Sequence, residues 1–270
     1  MIFFNSVFTE FMKKRVFDLQ IAAESNIGLN RSGNEDSFLV CRPDDFRVLA
    51  CVADGIGSHS DGKLASSICC RDLMEMSMAE GGDLSDAEKF LKNSFSCINE
   101  KIFERNYRER RLSPMGCTAV AALFSREKIT VLNIGDSRFY EYLPGRSEPL
   151  KQITVDHHPD DELLEKLSAA YSVDKKSLQK RVLMHSLGTN SQLFCDIFTV
   201  PVQPGARYLL CSDGLSSRVP GERIAAVLAN ETLSARQMTS ALIREALLCG
   251  SRDNITVITA KFTGDDHGIA

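Results

Sequence analysis

Five stretches of this chain set a carboxylate against an apolar run. Val48–Ala53 runs into Asp54-Gly55-Ile56-Gly57, Arg207–Cys211 into Ser212-Asp213-Gly214, and Thr130–Ile134 into Gly135-Asp136. Asp253-Asn254 opens Ile255–Ala260, and Asn34-Glu35-Asp36 opens Ser37–Val40. A continuous apolar run bounded by turn residues suits a strand covered on both faces. Each acid then sits where a strand leaves the core, held rigidly yet able to face a cleft. If those ends converge, the result is a site of oxygen donors alone. Hard oxygen ligands without thiolate or imidazole select Mg, Mn or Ca over zinc. Two divalent ions sharing a bridging carboxylate would absorb this much negative charge, and such pairs drive phosphoryl transfer. Asp-Gly is also a common turn dipeptide, so one occurrence means little; the weight lies in the set.

The elements that must position these acids follow along the chain. Strands are expected over 16–23 and 37–53, separated by a polar loop carrying Arg31, whose guanidinium suits bidentate contact with phosphate oxygens. Ser60 or Asp61 is expected to cap a helix running to about 79. Ser85-x-x-Glu88 reads as a capping box opening a second helix with Leu91, Phe95, Ile98 and Ile102 on its core face. Residues 117–143 read as three strands, with Gly135-Asp136 as a two-residue hairpin turn between two of them. Residues 144–192 form the least regular part, a flap or lobe with helices near 160–170 and 174–185. There His157 and His158 read as turn or capping residues, since no partner histidines lie at ligand spacing. Strands are expected at 194–200, 206–212 and 254–262, and helices at 221–230 and 234–248. Strands and helix pairs alternate in blocks, which predicts an α+β fold of mainly antiparallel sheets.

Composition narrows the function classes. A chain of 270 residues with net charge −4 is no general nucleic-acid binder. Its nine cysteines form no Cys-x-x-Cys pair, which predicts a reducing cytoplasm and no disulfide framework. No apolar run is long enough for a transmembrane segment. No Gly-rich nucleotide loop and no serine or cysteine nucleophile motif is present. Residues 1–15 carry apolar side chains at helical spacing followed by Lys13-Lys14-Arg15. They read as an N-terminal amphipathic helix packed on the domain, or as a docking segment for a partner or membrane surface. A single domain is expected over 16–263, with a frayed tail at 264–270.

Seven motifs in order then carry a resemblance. They are Arg31-x-x-Asn34-Glu35-Asp36, Asp54-Gly55-x-Gly57, Gly116-Cys117-Thr118, Gly135-Asp136-Ser137-Arg138, Thr154-x-Asp156-His157, Ser212-Asp213-Gly214-Leu215 and Asp253-Asn254-Ile255-Thr256. Together they resemble the metal-dependent serine/threonine phosphatases of the protein phosphatase 2C family, bacterial type, over about residues 18–262. The resemblance implies two antiparallel β-sheets packed as a sandwich and flanked by helix pairs. It also implies two ions, Mn2+ or Mg2+, and in-line attack on phosphoserine or phosphothreonine by a hydroxide bridging them. Carried over, Asp54 would bridge both ions, and Asp213 and Asp253 would complete one of them. The Gly55 carbonyl would bind the other, with Glu35 acting through water and Asp36 supporting from beside. Arg31 would hold the substrate phosphate, and Asp136 would serve a weaker third ion. The expected partners are phosphorylated proteins, targets of a bacterial serine/threonine kinase.

Some positions depart from the pattern. Ser58 replaces a glycine, Lys63 an acid, and Ser217 the Asp that often closes the Asp-Gly-Leu-x-Asp motif, which leaves third-ion binding open. Ile56 stands where some relatives carry a histidine proposed as general acid, leaving water or His59 to protonate the leaving group. A second reading is a regulatory or binding module that keeps the fold but turns over little.

Overall fold

The computed structural model describes residues 9–10, 19–57, 61–79, 84–175, 178 and 182–262. Strands β1 (Thr9–Glu10), β2 (Leu19–Asn26), β3 (Ser37–Asp44), β4 (Arg47–Ala53) and β5 (Gly55–Ile56) lead into helices α1 (Asp61–Met78) and α2 (Ala87–Arg108). Next come β6 (Gly116–Cys117), β7 (Ala119–Phe124), β8 (Lys128–Ile134), β9 (Arg138–Tyr142), β10 (Leu150–Gln152) and α3 (Asp161–Tyr171). Strands β11 (Asp196–Pro201) and β12 (Arg207–Cys211) follow. After them lie helices α4 (Asp213–Ser216), α5 (Gly221–Ala229) and α6 (Ala235–Leu248), and finally strand β13 (Ile255–Phe262).

The strands form a six-stranded sheet, β1-β2-β13-β12-β9-β10, a five-stranded sheet, β11-β8-β7-β4-β3, and the small pair β5-β6. Every pairing is antiparallel. Between the two large sheets lies one core: Val48, Ala50 and Val52 of β4 meet Tyr208 and Leu210 of β12 and Ile258 of β13. The alternate residues of the same strands face outward into helices. Leu49, Cys51 and Ala53 pack with Ile68 and Leu73 of α1 and Phe95 of α2. Leu209 and Cys211 pack with Leu228 of α5 and Leu242 of α6. The expected α+β sandwich with helix pairs on both outer faces is present. Burial on both faces is why these strands read as unbroken apolar runs rather than as alternating ones.

Several local expectations change. The hairpin at Gly135-Asp136 is not one: β8 belongs to the five-stranded sheet and β9 to the six-stranded sheet, so the dipeptide carries the chain from one sheet to the other. Gly135 has φ +98, and a Cβ there would lie 2.6 Å from Thr118 Cγ2, so the glycine serves close packing as well as the turn. Helix α2 is capped by Asp86, whose side chain accepts from the Lys89 N–H at 3.0 Å, one residue beyond the expected Ser85 box. Asp61 is the first residue of α1 rather than its cap; Ser60 lies outside the described residues. The first large strand runs to Asn26, and 37–53 is two strands joined by a turn at 45–46. Of the helix expected at 174–185, Lys175 and Leu178 are helical, with the Leu178 N–H donating to the Asp174 carbonyl at 3.1 Å, while 182–185 are irregular and 176–177 and 179–181 lie outside the described residues. Of residues 1–15 only Thr9–Glu10 are described, as an edge strand on β2; the tail at 264–270 also lies outside.

Candidate active site

The carboxylates singled out from sequence come together at one end of the sandwich. Asp54 follows β4 directly, and its backbone is clamped. Its carbonyl accepts from the Thr118 N–H at 2.9 Å, and its own N–H donates to Thr118 Oγ1 at 3.3 Å. Thr118 Oγ1 in turn lies 2.7 Å from Ser137 Oγ, one residue beyond Asp136. Gly55 pairs with Cys117 in the β5-β6 ladder. A Cβ on Gly55 would meet the Gly62 carbonyl oxygen at 2.3 Å and that of Glu35 at 2.7 Å, so three backbones converge there and only glycine fits.

Asp36 is fully buried. Its Oδ2 accepts from Ser212 Oγ at 2.7 Å and from Thr256 Oγ1 at 2.6 Å. Asp213 opens α4. Its Oδ1 and that of Asp36 are buried without a hydrogen-bond partner among the described residues. Glu35 is fixed by its backbone, its N–H donating to Asn254 Oδ1 at 2.8 Å. Asn254 Nδ2 also donates to the carbonyls of Ile27 at 2.9 Å and Gly33 at 3.1 Å, tying the Arg31 loop to the start of β13.

The electrostatics are those of crowded acids. Burial, then the Asp36, Asp213, Asp136 and Asp253 carboxylates, pushes Asp54 well above the usual range. Burial, then Asp136 and Asp253, pushes Asp213 up to about 7. Burial raises Asp36 to about 6 despite its two hydroxyl donors. Asp136 is raised by burial, with His158 opposing. Glu35 is raised by burial, with Arg31 opposing. Removing such charges from water without a counter-charge favours the protonated forms.

A cleft of about 560 Å³ opens over this cluster, with Asp136, Asp213, Asp253 and Arg31 on its wall. Arg31 Nη2 donates to Asp253 Oδ2 at 2.8 Å. Arg138 makes a bidentate pair with Asp156, its Nη2 lying 2.6 Å from Asp156 Oδ2 and its Nε 2.9 Å from Oδ1. His157 holds the Gly135-Asp136 turn from both sides. Its Nδ1 accepts from the Gly135 N–H at 3.2 Å, and its own N–H donates to the Gly135 carbonyl at 3.0 Å. His158 lines the cleft, with Nε2 3.9 Å from Asp136 Oδ2.

The donor set fits hard divalent cations: oxygen atoms only, several acids held away from water, and two orphaned carboxylate oxygens. Among the described residues, no three His, Cys, Asp or Glu side chains already surround a common point as ligands. What supports a cation is therefore the concentrated charge and the orphaned oxygens, not a ready-made cage.

Sequence reasoning gave no role to Ser212, Thr256, Thr118 or Asn254, although all four lie inside the motifs. Thr256 had a local signal, a buried polar residue within the apolar run of β13. Lys63, noted only as a departure, has a definite position: its Nζ donates to the Asp36 carbonyl and, at 3.1 Å, to Ser37 Oγ. Ser58 and His59 lie outside the described residues.

Against known proteins, residues 29–247 match the family model described as protein phosphatase 2C. The chain is 33% identical to the serine/threonine phosphatase stp of Listeria monocytogenes over 238 residues, 87% of this chain and 92% of the relative. It is 33% identical to the serine/threonine protein phosphatase PstP of Mycobacterium tuberculosis over 251 residues, 93% of this chain and 46% of that longer protein. Among solved structures, it resembles the catalytic domain of PstP in complex with two manganese ions. The TM-score is 0.72 and the identity 32%, covering 90% of this chain and 97% of that one.

Proposed function

The chain belongs to the protein phosphatase 2C family, and from that premise we propose that it is a metal-dependent phosphatase removing phosphate from serine and threonine side chains of proteins. The observation that carries the reading is the meeting of Asp36, Asp54, Asp136, Asp213 and Asp253, with buried carboxylate oxygens left unpaired. Asp54, Asp213, Asp253 and the Gly55 carbonyl would hold two divalent ions, Mn2+ or Mg2+, with Glu35 acting through water. Asp136 is the candidate for a third ion. When bound, such ions supply Lewis acidity and a nucleophilic water at neutral pH.

The chain's own groups do the rest. Arg31 stands on the cleft wall, where its planar fork can take two oxygens of the phosphoryl group. Asp36, locked by Ser212 and Thr256, fixes the floor beside Asp54. Thr118 fixes the Asp54 backbone, so the Asp54 carboxylate is aimed before substrate arrives. Water or His59 would protonate the leaving alkoxide.

The substrates we envisage are targets of a serine/threonine kinase in the cytoplasm. Nine free thiols suit a reducing compartment. Among the described residues, no helix is long and apolar enough to cross a membrane. Residues 1–15 remain a candidate docking segment.

The test is hydrolysis of a phosphothreonine peptide and of p-nitrophenyl phosphate with Mn2+, with EDTA, and with Asp54→Asn. Peptide turnover that needs Mn2+ and vanishes in the variant is expected. A folded, Mn-loaded protein that hydrolysed neither substrate would end the catalytic reading.

A further inference from the structure

Four arginines line the cleft, and they fall into two classes. Arg31 and Arg138 are paired with Asp253 and Asp156. The side chains of Arg218 and Arg252 have no hydrogen-bonding or ionic partner among the described residues, although both are on the cleft wall. Both are exposed, so keeping them charged costs little. Their backbones are not loose. The Arg218 N–H donates to the Leu215 carbonyl at 3.1 Å, and the next residue, Val219, is buried. Arg252 follows Ser251, whose Oγ donates to the Gly214 carbonyl at 2.8 Å. A Cβ on Gly214 would lie 1.9 Å from the Asn254 carbonyl oxygen, so the two segments touch backbone to backbone. The Leu29 N–H donates to the Ser251 carbonyl at 3.2 Å, which brings the Arg31 loop onto the same platform. Three arginines thus border one cleft, the Arg31 and Arg218 segments each being bonded to the Arg252 segment, and of the three only Arg31 has a side-chain partner among the described residues.

We propose that Arg218 and Arg252 form a second anion subsite beside the phosphoryl site, selecting substrates with another anionic side chain near the phosphorylated residue. The inference rests on the phosphatase reading for the identity of the first site. The shared chemistry is an oxyanion in reach of two guanidinium groups, and either an acidic residue or a second phosphorylated residue supplies it. Phosphate offers more acceptor oxygens and more charge, so it is the stronger occupant.

The experiment uses three phosphothreonine peptides of equal length: neutral flanks, aspartate flanks and a neighbouring phosphoserine. Wild type, Arg218→Ala/Arg252→Ala and Arg218→Glu/Arg252→Glu are compared. Exposed ion pairs of ordinary strength predict that wild type favours each anionic peptide over the neutral one by roughly fivefold in kcat/KM, through KM. The alanine pair should bring that ratio to one, and the glutamate pair should reverse it. A ratio of one in wild type, or one that survives the alanine pair, overturns the proposal. An equal loss on all three peptides and on p-nitrophenyl phosphate also overturns it, since the arginines then only balance the charge of the carboxylate cluster. Fluorescence anisotropy of the same labelled peptides on Asp54→Asn protein, with and without the arginine changes, repeats the comparison without turnover. If hydrolysis fails but this binding preference appears and depends on the arginines, the subsite stands while the phosphatase reading falls.

Discussion

Arg31 Nη2 donates to Asp253 Oδ2 at 2.8 Å, joining the residue proposed to hold the substrate phosphate to one proposed to hold a metal ion. A cation on Asp253 and the guanidinium therefore draw on the same carboxylate oxygen. Arg31→Ala should act with opposite signs on the two ligands. Mn2+ titrated calorimetrically should bind more tightly to the variant. The kcat/KM for a phosphopeptide should fall roughly 10- to 100-fold, the value of a charge-assisted hydrogen bond. Arg31→Lys should recover only part of that loss, because an ammonium lacks the fork. Equal Mn2+ affinity in wild type and Arg31→Ala would show that the pair does not compete with the ion.

Thr256→Val tests the floor of the site. Thr256 Oγ1 donates to Asp36 Oδ2 at 2.6 Å and lies 2.8 Å from Ser25 Oγ. Valine keeps the shape and leaves a buried carboxylate oxygen with one donor fewer. The expected loss is about 1–3 kcal/mol, read by urea denaturation. An unchanged midpoint would mean that the hydroxyl contributes nothing to holding Asp36.

In the chelated protein, stability should fall as pH rises through the acid range. Asp36 and Asp213 are raised from 3.8 to about 6 and about 7, burial being the main cause. Between the ordinary and the raised values, the folded chain keeps protons that the unfolded chain has released, so raising pH favours unfolding. The Tm in EDTA should be lower at about pH 7.5 than at pH 5. Mn2+ should raise Tm more at the higher pH, where the carboxylates are free to bind it. A Tm gain from Mn2+ independent of pH would contradict the raised values.

Gly214→Ala should be among the most damaging single-methyl changes in the chain. Its Cβ would sit 1.9 Å from the Asn254 carbonyl oxygen, and backbone cannot step aside as a side chain can. A loss of about 2–4 kcal/mol is expected. It should come with a weakened Mn2+ response, because Asp213 and Asp253 stand on the two segments forced apart. Wild-type stability in this variant would show that the two segments are free to separate.

The convergence of the candidate site's acids was legible because each signal is local: an apolar run, an acid and a turn residue. The same locality misled at Gly135-Asp136, where two strands flanking a Gly-Asp pair look alike whether they share a sheet or not. The difference lies in Thr118, which packs against Gly135 from another part of the chain. The cap of α2 moved by one residue because Ser85 and Asp86 can both accept, and only the chain's entry angle decides between them. The partners of Asp36 were illegible for a plainer reason. Ser212 and Thr256 are 176 and 220 residues away, and no spacing rule reaches that far. Arg218 and Arg252 gave no signal at all, since a loop arginine is usually solvated, and the role proposed for them depends on a cleft wall that only the fold assembles.

Strand β13 lies between β2 and β12 in the larger sheet, although it is the last of the described strands to be synthesised. Until it leaves the ribosome, β2 and β12 have no bridge between them, and Asp36 lacks Thr256. At typical elongation rates of about 5–20 residues per second, the nascent chain spends many seconds with Asp36 and Asp54 already made and Asp213 and Asp253 missing. The nascent chain therefore lacks Asp253 and the Thr256 donor to Asp36 until this last described strand is made.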